Sequence, residues 1–222
     1  LWRWLLVNII IVPFRAKKST HAYQQIWQAD GPPLIIYSQQ LCQALQHQLG
    51  NNYQVAIGMR YGQPAMLKQL EALTKNCKKI IVLPLFPQYA FATTGSVIAK
   101  LGQWLQKKWN MPAIEWHRDF FSEQVFIDTY AALIREKLTT VPVDLLLFSY
   151  HGLPEHHLNK QDCDKQYCSR QQPCPSMPHN YSCYRRQCFE TTHRIAELLQ
   201  LSASQYLTSF QSRLGKTPWI TP

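Results

Sequence analysis

The sequence predicts an α/β fold in which parallel strands alternate with flanking helices. Short runs rich in Val, Ile and Leu recur between longer stretches whose apolar residues are spaced three and four positions apart. These helical stretches are long enough to return the chain to the start of a neighbouring parallel strand. No glycine-rich phosphate loop is present, which disfavours a nucleotide-binding enzyme of this class.

Each predicted helix has a local signal along one face or at one end. Apolar residues at helical spacing run up to Leu49 and stop before Gly50, Pro64 suits a first helical turn, and Ser122 is a suitable cap. The predicted helices cover residues 34–49, 64–77, 94–108, 122–138 and 183–199.

The predicted strands are short and mostly apolar. Two of them, KIIVLPL and VDLLLFSY, are nearly continuous apolar runs, so we expect both to be buried. The predicted strands cover residues 53–58, 79–85, 113–116, 143–150 and 205–210. Because ligands of parallel sheets bind beyond the carboxyl ends of the strands, we expect chemistry at 85–96, at His151 and at 211–219.

Composition narrows the function classes. The chain has 222 residues, 46% of them hydrophobic, which is enough for one large or two small cored domains. The net charge of +10 suits an acidic partner such as a membrane surface or a carboxylate-bearing small molecule. The basic residues are scattered, so no nucleic-acid partner is predicted. Seven cysteines without a secretory leader indicate a reducing, cytoplasmic location.

Residues 1–14 (LWRWLLVNIIIVPF) form the most apolar segment. The segment is shorter than the roughly 20 residues that cross a bilayer. A buried helix is the favoured interpretation, and an aromatic lip in peripheral contact with the inner membrane is the alternative. Since the chain starts at Leu1 and stops at Pro222 after an apolar run, we expect both ends to be cuts through a longer protein.

A histidine follows the apolar strand predicted at 143–150. His151 stands before a Gly-Leu-Pro turn, where a neutral imidazole can ligate a metal or accept a proton. A histidine at such a position is, taken alone, more often hydrogen-bonded for structural reasons.

Five segments in series resemble signature segments of the ferrochelatases, which insert Fe²⁺ into protoporphyrin IX to form protohaem. The segments are 23–34 (YQQIWQADGPPL), 59–62 (MRYG), 83–96 (LPLFPQYAFATTGS), 148–154 (FSYHGLP) and 210–222 (FQSRLGKTPWITP). The resemblance implies two Rossmann-like, chelatase-type halves, residues 1–119 and 120–222, each incomplete at its outer terminus. A cysteine-rich insert at 155–183 interrupts the second half.

The resemblance also assigns roles to individual residues. It implies that His151 is catalytic, either as a ligand of the substrate Fe²⁺ or as the base that takes a pyrrole proton. It implies porphyrin contacts from residues with aromatic, aliphatic or guanidinium side chains, namely Arg15, Tyr23, Arg60, Tyr61, Leu214 and Trp219. The family's opening strand and the acid that faces the histidine are missing from these residues, so the chain alone is expected to be inactive.

The insert contains four cysteines, which are Cys163, Cys168, Cys174 and Cys183. Four thiolates suit either structural zinc or a [2Fe–2S] cluster, and the wide spacing mildly disfavours zinc. The insert is similar to that of some bacterial ferrochelatases, which implies a [2Fe–2S] cluster. Cys163 is taken as the fourth ligand in place of a cysteine that this chain lacks, and Cys188 is the alternative.

Two other functions are also compatible with the sequence. A cobalt or nickel chelatase acting on another tetrapyrrole would share the two-half fold, and a non-catalytic iron–sulfur or haem-binding module would share the cysteines. The sequence leaves protoporphyrin and coproporphyrin undistinguished as substrates, and it leaves the oligomeric state open.

Overall fold

The computed structural model describes residues 20, 21, 23–161, 174, 181–213 and 215–222. The chain divides into two compact units, one up to Lys78 and the other from Lys79 to Pro222. The predicted boundary between residues 119 and 120 lies in the second unit, between the strands of its two sheets, and it stays a prediction.

The first unit contains helix α1 (Pro33–Leu49) and helix α2 (Met66–Leu73). Helix α1 begins with a proline, whose fixed φ and missing N–H suit the first turn. It is closed by Gly50, which has a φ of 70° and donates its N–H to the carbonyl of Gln46. The helix predicted at 34–49 is therefore confirmed.

Side chains of helix α1 bind the segment that follows it. Gln46 donates through Nε2 to the carbonyl of Tyr53 at 3.0 Å and accepts through Oε1 from the N–H of Val55 at 2.9 Å. The thiol of Cys42 donates to the carbonyl of Val55. These contacts occupy one edge of the segment and no described strand pairs along the other, so residues 53–58 form no strand. The strand predicted there is wrong.

Helix α2 begins at Met66, later than the predicted start at Pro64. The N–H of Met59 donates to the carbonyl of Pro64 at 2.8 Å, and the N–H of Met66 donates to the carbonyl of Met59 at 3.0 Å. These two bonds hold Pro64 in a closed turn ahead of the helix. Met66 and Leu70 form the buried face of α2.

The second unit alternates strands with helices. Its elements are β1 (Lys79–Val82), α3 (Ser96–Leu105), β2 (Ala113–Trp116), α4 (Gln124–Thr140), β3 (Leu146–His151), α5 (Glu155–Asn159), α6 (Tyr184–Leu198) and β4 (Tyr206–Gln211). Strand β1 pairs in parallel with β2, and β3 pairs in parallel with β4. Within the described residues each pair is a two-stranded sheet. The predicted α/β class with parallel strands and flanking helices is confirmed.

Local chemistry explains where elements of the second unit depart from the predicted bounds. Strand β1 ends at Val82, before the predicted end, because Pro84 lacks the N–H that a ladder requires. A single π-helical turn, Phe91–Gly95, precedes α3 and delays its start to Ser96.

Helix α4 also starts later than predicted. Its N-cap is Glu123 rather than Ser122, and no side chain caps it. The carbonyl of Ser122 instead accepts from Nη1 of Arg194 on helix α6 at 3.0 Å. Ser122 therefore links two helices through its backbone, and the predicted capping role is wrong.

Strand β3 is buried on one face only. Its residues alternate between half-buried and exposed, and Leu147 is 57% exposed. Phe148 and Tyr150 pack against the apolar core, whereas His151 lies on the exposed face. The expectation that this strand is fully buried is wrong, because among the described residues the helices cover only the face that carries Phe148 and Tyr150.

Helix α6 contributes to two apolar clusters that lie among the described residues of the second unit. The first cluster comprises Ala90, Leu153, Tyr184, Cys188, Phe210 and Ile220. The second comprises Ile127, Ala131 and Ile195. Because α6 supplies Tyr184 and Cys188 to the first and Ile195 to the second, it joins the two parts of the core.

A buried glutamine on helix α6 forms hydrogen bonds to the segments that follow strands β1 and β2. Gln187 is 0% exposed. Its Oε1 accepts from the N–H of Tyr89 at 2.7 Å, and its Nε2 donates to the carbonyl of Tyr181 at 2.8 Å and to Oδ2 of Asp119 at 3.4 Å. One side chain thus satisfies polar groups from the segments that follow β1 and β2.

We predict that Gln187→Leu destabilises the protein by about 2 kcal/mol or more, because it removes a fully buried amide that bonds the N–H of Tyr89, the carbonyl of Tyr181 and the carboxylate of Asp119. The matched control is Gln103→Leu, an exposed position on helix α3, which should change the free energy of unfolding by less than about 0.5 kcal/mol. Urea unfolding of both variants measures the difference. Equal stabilities would show that the Gln187 network is not required.

Candidate active site at the end of strand β3

Strand β3 carries His151 to the carboxyl end of a parallel pair. His151 lies opposite Gln211, the last residue of β4. The residue is exposed, so its imidazole is accessible to a substrate. This is the position at which parallel sheets bind their ligands, as the sequence predicted.

Strand β4 is hydrogen-bonded to Gly152, the first residue of the turn that follows His151. The N–H of Gly152 donates to the carbonyl of Gln211 at 2.6 Å. A Cβ at Gly152 would approach that carbonyl oxygen to 2.8 Å and Cε3 of Trp219 to 3.4 Å. The close approach of two backbones explains why the turn requires glycine here.

The segment around Trp219 holds the other side of the turn. The N–H of Ile220 donates to the carbonyl of Leu153 at 2.9 Å, and the N–H of Glu155 donates to the carbonyl of Pro218 at 3.0 Å. Pro154 and Trp219 form an antiparallel bridge. Trp219, predicted to contact the porphyrin, therefore lies beside the turn that carries His151.

Helix α6 contacts the same turn through a tyrosine. The hydroxyl of Tyr184 donates to the carbonyl oxygen of His151 at 2.8 Å. The neighbouring Tyr150 hydroxyl lies 2.9 Å from Oγ1 of Thr192, also on α6. Burial raises the pKa of both phenols above their usual range, so both hydroxyls stay protonated and able to donate.

Sequence reasoning did not single out Tyr184. A signal was present, because Tyr184, Cys188 and Ile195 recur at helical spacing and form one buried face of α6. A tyrosine on such a face needs a partner for its hydroxyl. The identity of that partner depends on tertiary contacts, which the spacing does not reveal.

The backbone is strained next to His151. Ser212 follows Gln211 and has a φ of 70°, a left-handed conformation that costs a non-glycine residue about 1 kcal/mol or more. Its hydroxyl donates to Oε1 of Gln211 at 3.3 Å. Such strain is found preferentially at functional sites, which agrees with the position of the turn.

Three of the predicted porphyrin-binding residues, Tyr23, Arg60 and Tyr61, are described in the first unit. Tyr23 is exposed, and Tyr61 is 76% exposed. The guanidinium carbon of Arg60 lies 4.5 Å from the centre of the Tyr61 ring, within range of a cation–π contact. Arg15 and Leu214 lie outside the described residues.

The predicted cysteine ligands are described only in part. Cys163 and Cys168 lie outside the described residues, Cys174 is half-buried, and Cys183 is buried at the N-cap of helix α6. Cys188 is fully buried in the core, and burial raises its pKa well above the usual value. Within the described part of the chain no three His, Cys, Asp or Glu side chains are grouped to hold a metal ion.

Two cavities lie apart from the His151 turn. An apolar groove of about 490 Å³ is lined by residues of α4 and by Val141, Val143 and Leu146. A second cavity of about 220 Å³ contains Trp116 and Arg118 among its lining residues. Among the described helices, none is long and apolar enough to cross a membrane.

Comparison with known proteins identifies similar chains. Residues 1–222 match the family described as Ferrochelatase. The chain is 44% identical over 224 residues to the Ferrochelatase of Coxiella burnetii (strain Dugway 5J108-111), covering 100% of this chain and 62% of that protein. It is 44% identical over 223 residues to the Ferrochelatase of Legionella pneumophila (strain Paris), covering 99% and 65%. The chain thus spans less than two thirds of the length of these curated relatives.

We predict that Gly152→Ala destabilises the protein by about 1 to 3 kcal/mol, because the added methyl group meets the backbone carbonyl of Gln211. Gly102→Ala is the matched control, since a Cβ at that helical position meets nothing within 4 Å. The control should stabilise the protein by about 0.5 to 1 kcal/mol. Thermal or urea unfolding measures both changes, and a neutral Gly152→Ala would contradict the close approach.

Proposed function

Because this chain belongs to the ferrochelatase family, we propose that it is part of an enzyme that inserts Fe²⁺ into protoporphyrin IX to form protohaem. The proposal is carried by the match over all 222 residues together with an exposed histidine at the carboxyl end of a parallel strand. As Fe²⁺ enters, two pyrrole N–H protons leave the ring, so the metal replaces two protons and no electron is transferred.

We propose that His151 is the catalytic residue. Its imidazole accepts one of the departing pyrrole protons or ligates the incoming Fe²⁺, and a neutral ring nitrogen has the lone pair that either role needs. Backbone contacts from β4 and from the Trp219 segment fix the turn that follows His151. A rigid support of this kind keeps a reacting group in its productive orientation.

We propose further that porphyrin binding involves Arg15, Tyr23, Arg60, Tyr61, Leu214 and Trp219. The exposed rings of Tyr23 and Tyr61 offer flat apolar faces suited to a macrocycle. A guanidinium such as that of Arg60 can bind a propionate carboxylate with two parallel hydrogen bonds. The two halves at 1–119 and 120–222 remain our proposed domain division.

The cysteine insert is proposed to hold a [2Fe–2S] cluster through Cys163, Cys168, Cys174 and Cys183. Cys183 suits this role because it stands at the end of the insert, as the N-cap residue of helix α6. Cys188 suits it less well, since its side chain is fully buried in the first apolar cluster and the residue is not part of the insert at 155–183. When bound, such a cluster supplies structural cross-linking of the insert and a one-electron redox centre.

We also propose a cytoplasmic location, with peripheral contact at the inner membrane as the alternative. Seven cysteines suit a reducing compartment. The net charge of +10 favours contact with an anionic lipid surface.

We predict that His151→Ala in the full-length protein lowers the rate of iron insertion into protoporphyrin by at least about 100-fold, because it removes a positioned proton acceptor or metal ligand. His193→Ala, an exposed histidine on helix α6, is the control and should retain the full rate. The assay follows the loss of porphyrin fluorescence, with coproporphyrin and with Co²⁺ or Ni²⁺ run in parallel. Preference for another metal or tetrapyrrole, or no insertion at all, would overturn the proposed function.

We predict that the full-length protein prepared without oxygen contains about two irons and two sulfides per chain. Changing any of the four proposed ligands to serine should remove the iron and the visible absorbance. Cys77→Ser and Cys188→Ala are the controls and should retain both.

Two outcomes would correct the proposed centre. Colourless protein that holds one zinc ion would identify a structural zinc site. Colour retained in Cys163→Ser and lost in Cys188→Ala would show that Cys188 is the fourth ligand.

A further inference from the structure

The hydroxyl of Tyr184 acts on the peptide of His151 itself. It donates to the carbonyl oxygen of His151 at 2.8 Å from a side chain that is only 8% exposed. The bond joins residues 33 positions apart in sequence. It therefore links the start of helix α6 to the residue that the proposed mechanism uses.

The peptide between His151 and Gly152 is held on both of its edges, since Tyr184 binds its carbonyl and strand β4 binds its N–H, which is that of Gly152. The Trp219 segment holds later peptides of the turn, through the carbonyl of Leu153 and the N–H of Glu155. The Tyr184 bond orients the His151 carbonyl, and because the peptide is planar this restricts ψ of His151. The direction of the Cα–Cβ bond follows from the positions of these backbone atoms, so the point from which the imidazole extends is fixed with them, and χ1 and χ2 rotate about that fixed base.

We propose that Tyr184 is a positioning residue for His151, acting through this carbonyl in the chelatase reaction. The inference rests on the proposed function. Tyr184 does not need to touch the porphyrin or the iron, since its effect is to hold the backbone from which the imidazole extends. Loss of the hydroxyl is expected to slow the chemical step without weakening porphyrin binding.

The test compares Tyr184→Phe with Tyr150→Phe in the full-length protein. Both variants remove one phenol hydroxyl that is bonded to another part of the second unit, and Tyr150 is the chain neighbour of His151. Tyr150 bonds to Thr192 rather than to the His151 peptide, so Tyr150→Phe serves as the matched control.

Tyr184→Phe should lower kcat about tenfold, the equivalent of one hydrogen bond of about 1.4 kcal/mol. It should leave KM for protoporphyrin within about twofold, and Tyr150→Phe should leave both constants within about twofold. A rise in KM without a fall in kcat, equal losses in the two variants, or unfolding of Tyr184→Phe would each overturn the positioning role.

A second measurement does not depend on activity. The imidazole ¹H–¹⁵N signal of His151 is assigned by its disappearance in His151→Ala, and it should shift or split in Tyr184→Phe but not in Tyr150→Phe. An unchanged signal in Tyr184→Phe would overturn the inference even if the enzyme is a chelatase. A shifted signal in a protein that inserts no iron would instead overturn the proposed function and leave the contact between the two residues in place.

Discussion

The arrangement of the second unit depends on the hydrogen bonds that the buried polar side chains of helix α6 make. Gln187 and Thr191 bring polar atoms into the core, where an unpaired donor or acceptor would cost about 1 to 3 kcal/mol. Each has partners on other segments, since Gln187 binds Tyr89 and Thr191 donates to the carbonyl of Phe121 at 2.9 Å. These bonds have a narrow range of geometries, so they fix the position of the helix more closely than apolar packing alone would.

That fixed helix gives the His151 turn its third support. Strand β4 and the Trp219 segment bind the residues after His151, and Tyr184 binds His151 itself. A parallel strand normally loses its hydrogen-bonded neighbours where the sheet ends. Here the end of β3 remains bonded on several sides, while the His151 residue stays exposed. Rigid backbone and accessible side chain are thus combined at one residue, which suits the chemistry that the family performs.

The sequence was informative wherever a signal is local. Hydrophobic spacing, Gly50 and the apolar runs predicted most helices and strands, and the placement of His151 followed from the apolar run before it. Errors arose where the partner lies outside the run of residues that carries the pattern. Residues 53–58, predicted as a strand, are bound at Tyr53 and Val55 by the side chain of Gln46, and Arg194 rather than a capping interaction engages Ser122.

The role of Tyr184 was missed for the same reason. Its partner is the backbone carbonyl of a residue far away in the sequence. Every residue has such a carbonyl, so a sequence pattern does not identify which one is bound. Leu147 shows the related problem for burial, since a run of leucines does not reveal which face of a strand the helices cover.

The positions in sequence of the residues that bind the His151 turn also determine when the turn can form during folding. Its partners Tyr184, Gln211 and Trp219 all lie downstream, so a ribosome must release each of them before the turn is closed. Contacts of this high sequence separation carry a large loop-closure entropy and form late. The growing chain therefore exposes Tyr150 before its partners on α6 and β4 exist, although α4, against which Phe148 packs, is already made. This is the interval in which chaperone binding would protect the chain from aggregation.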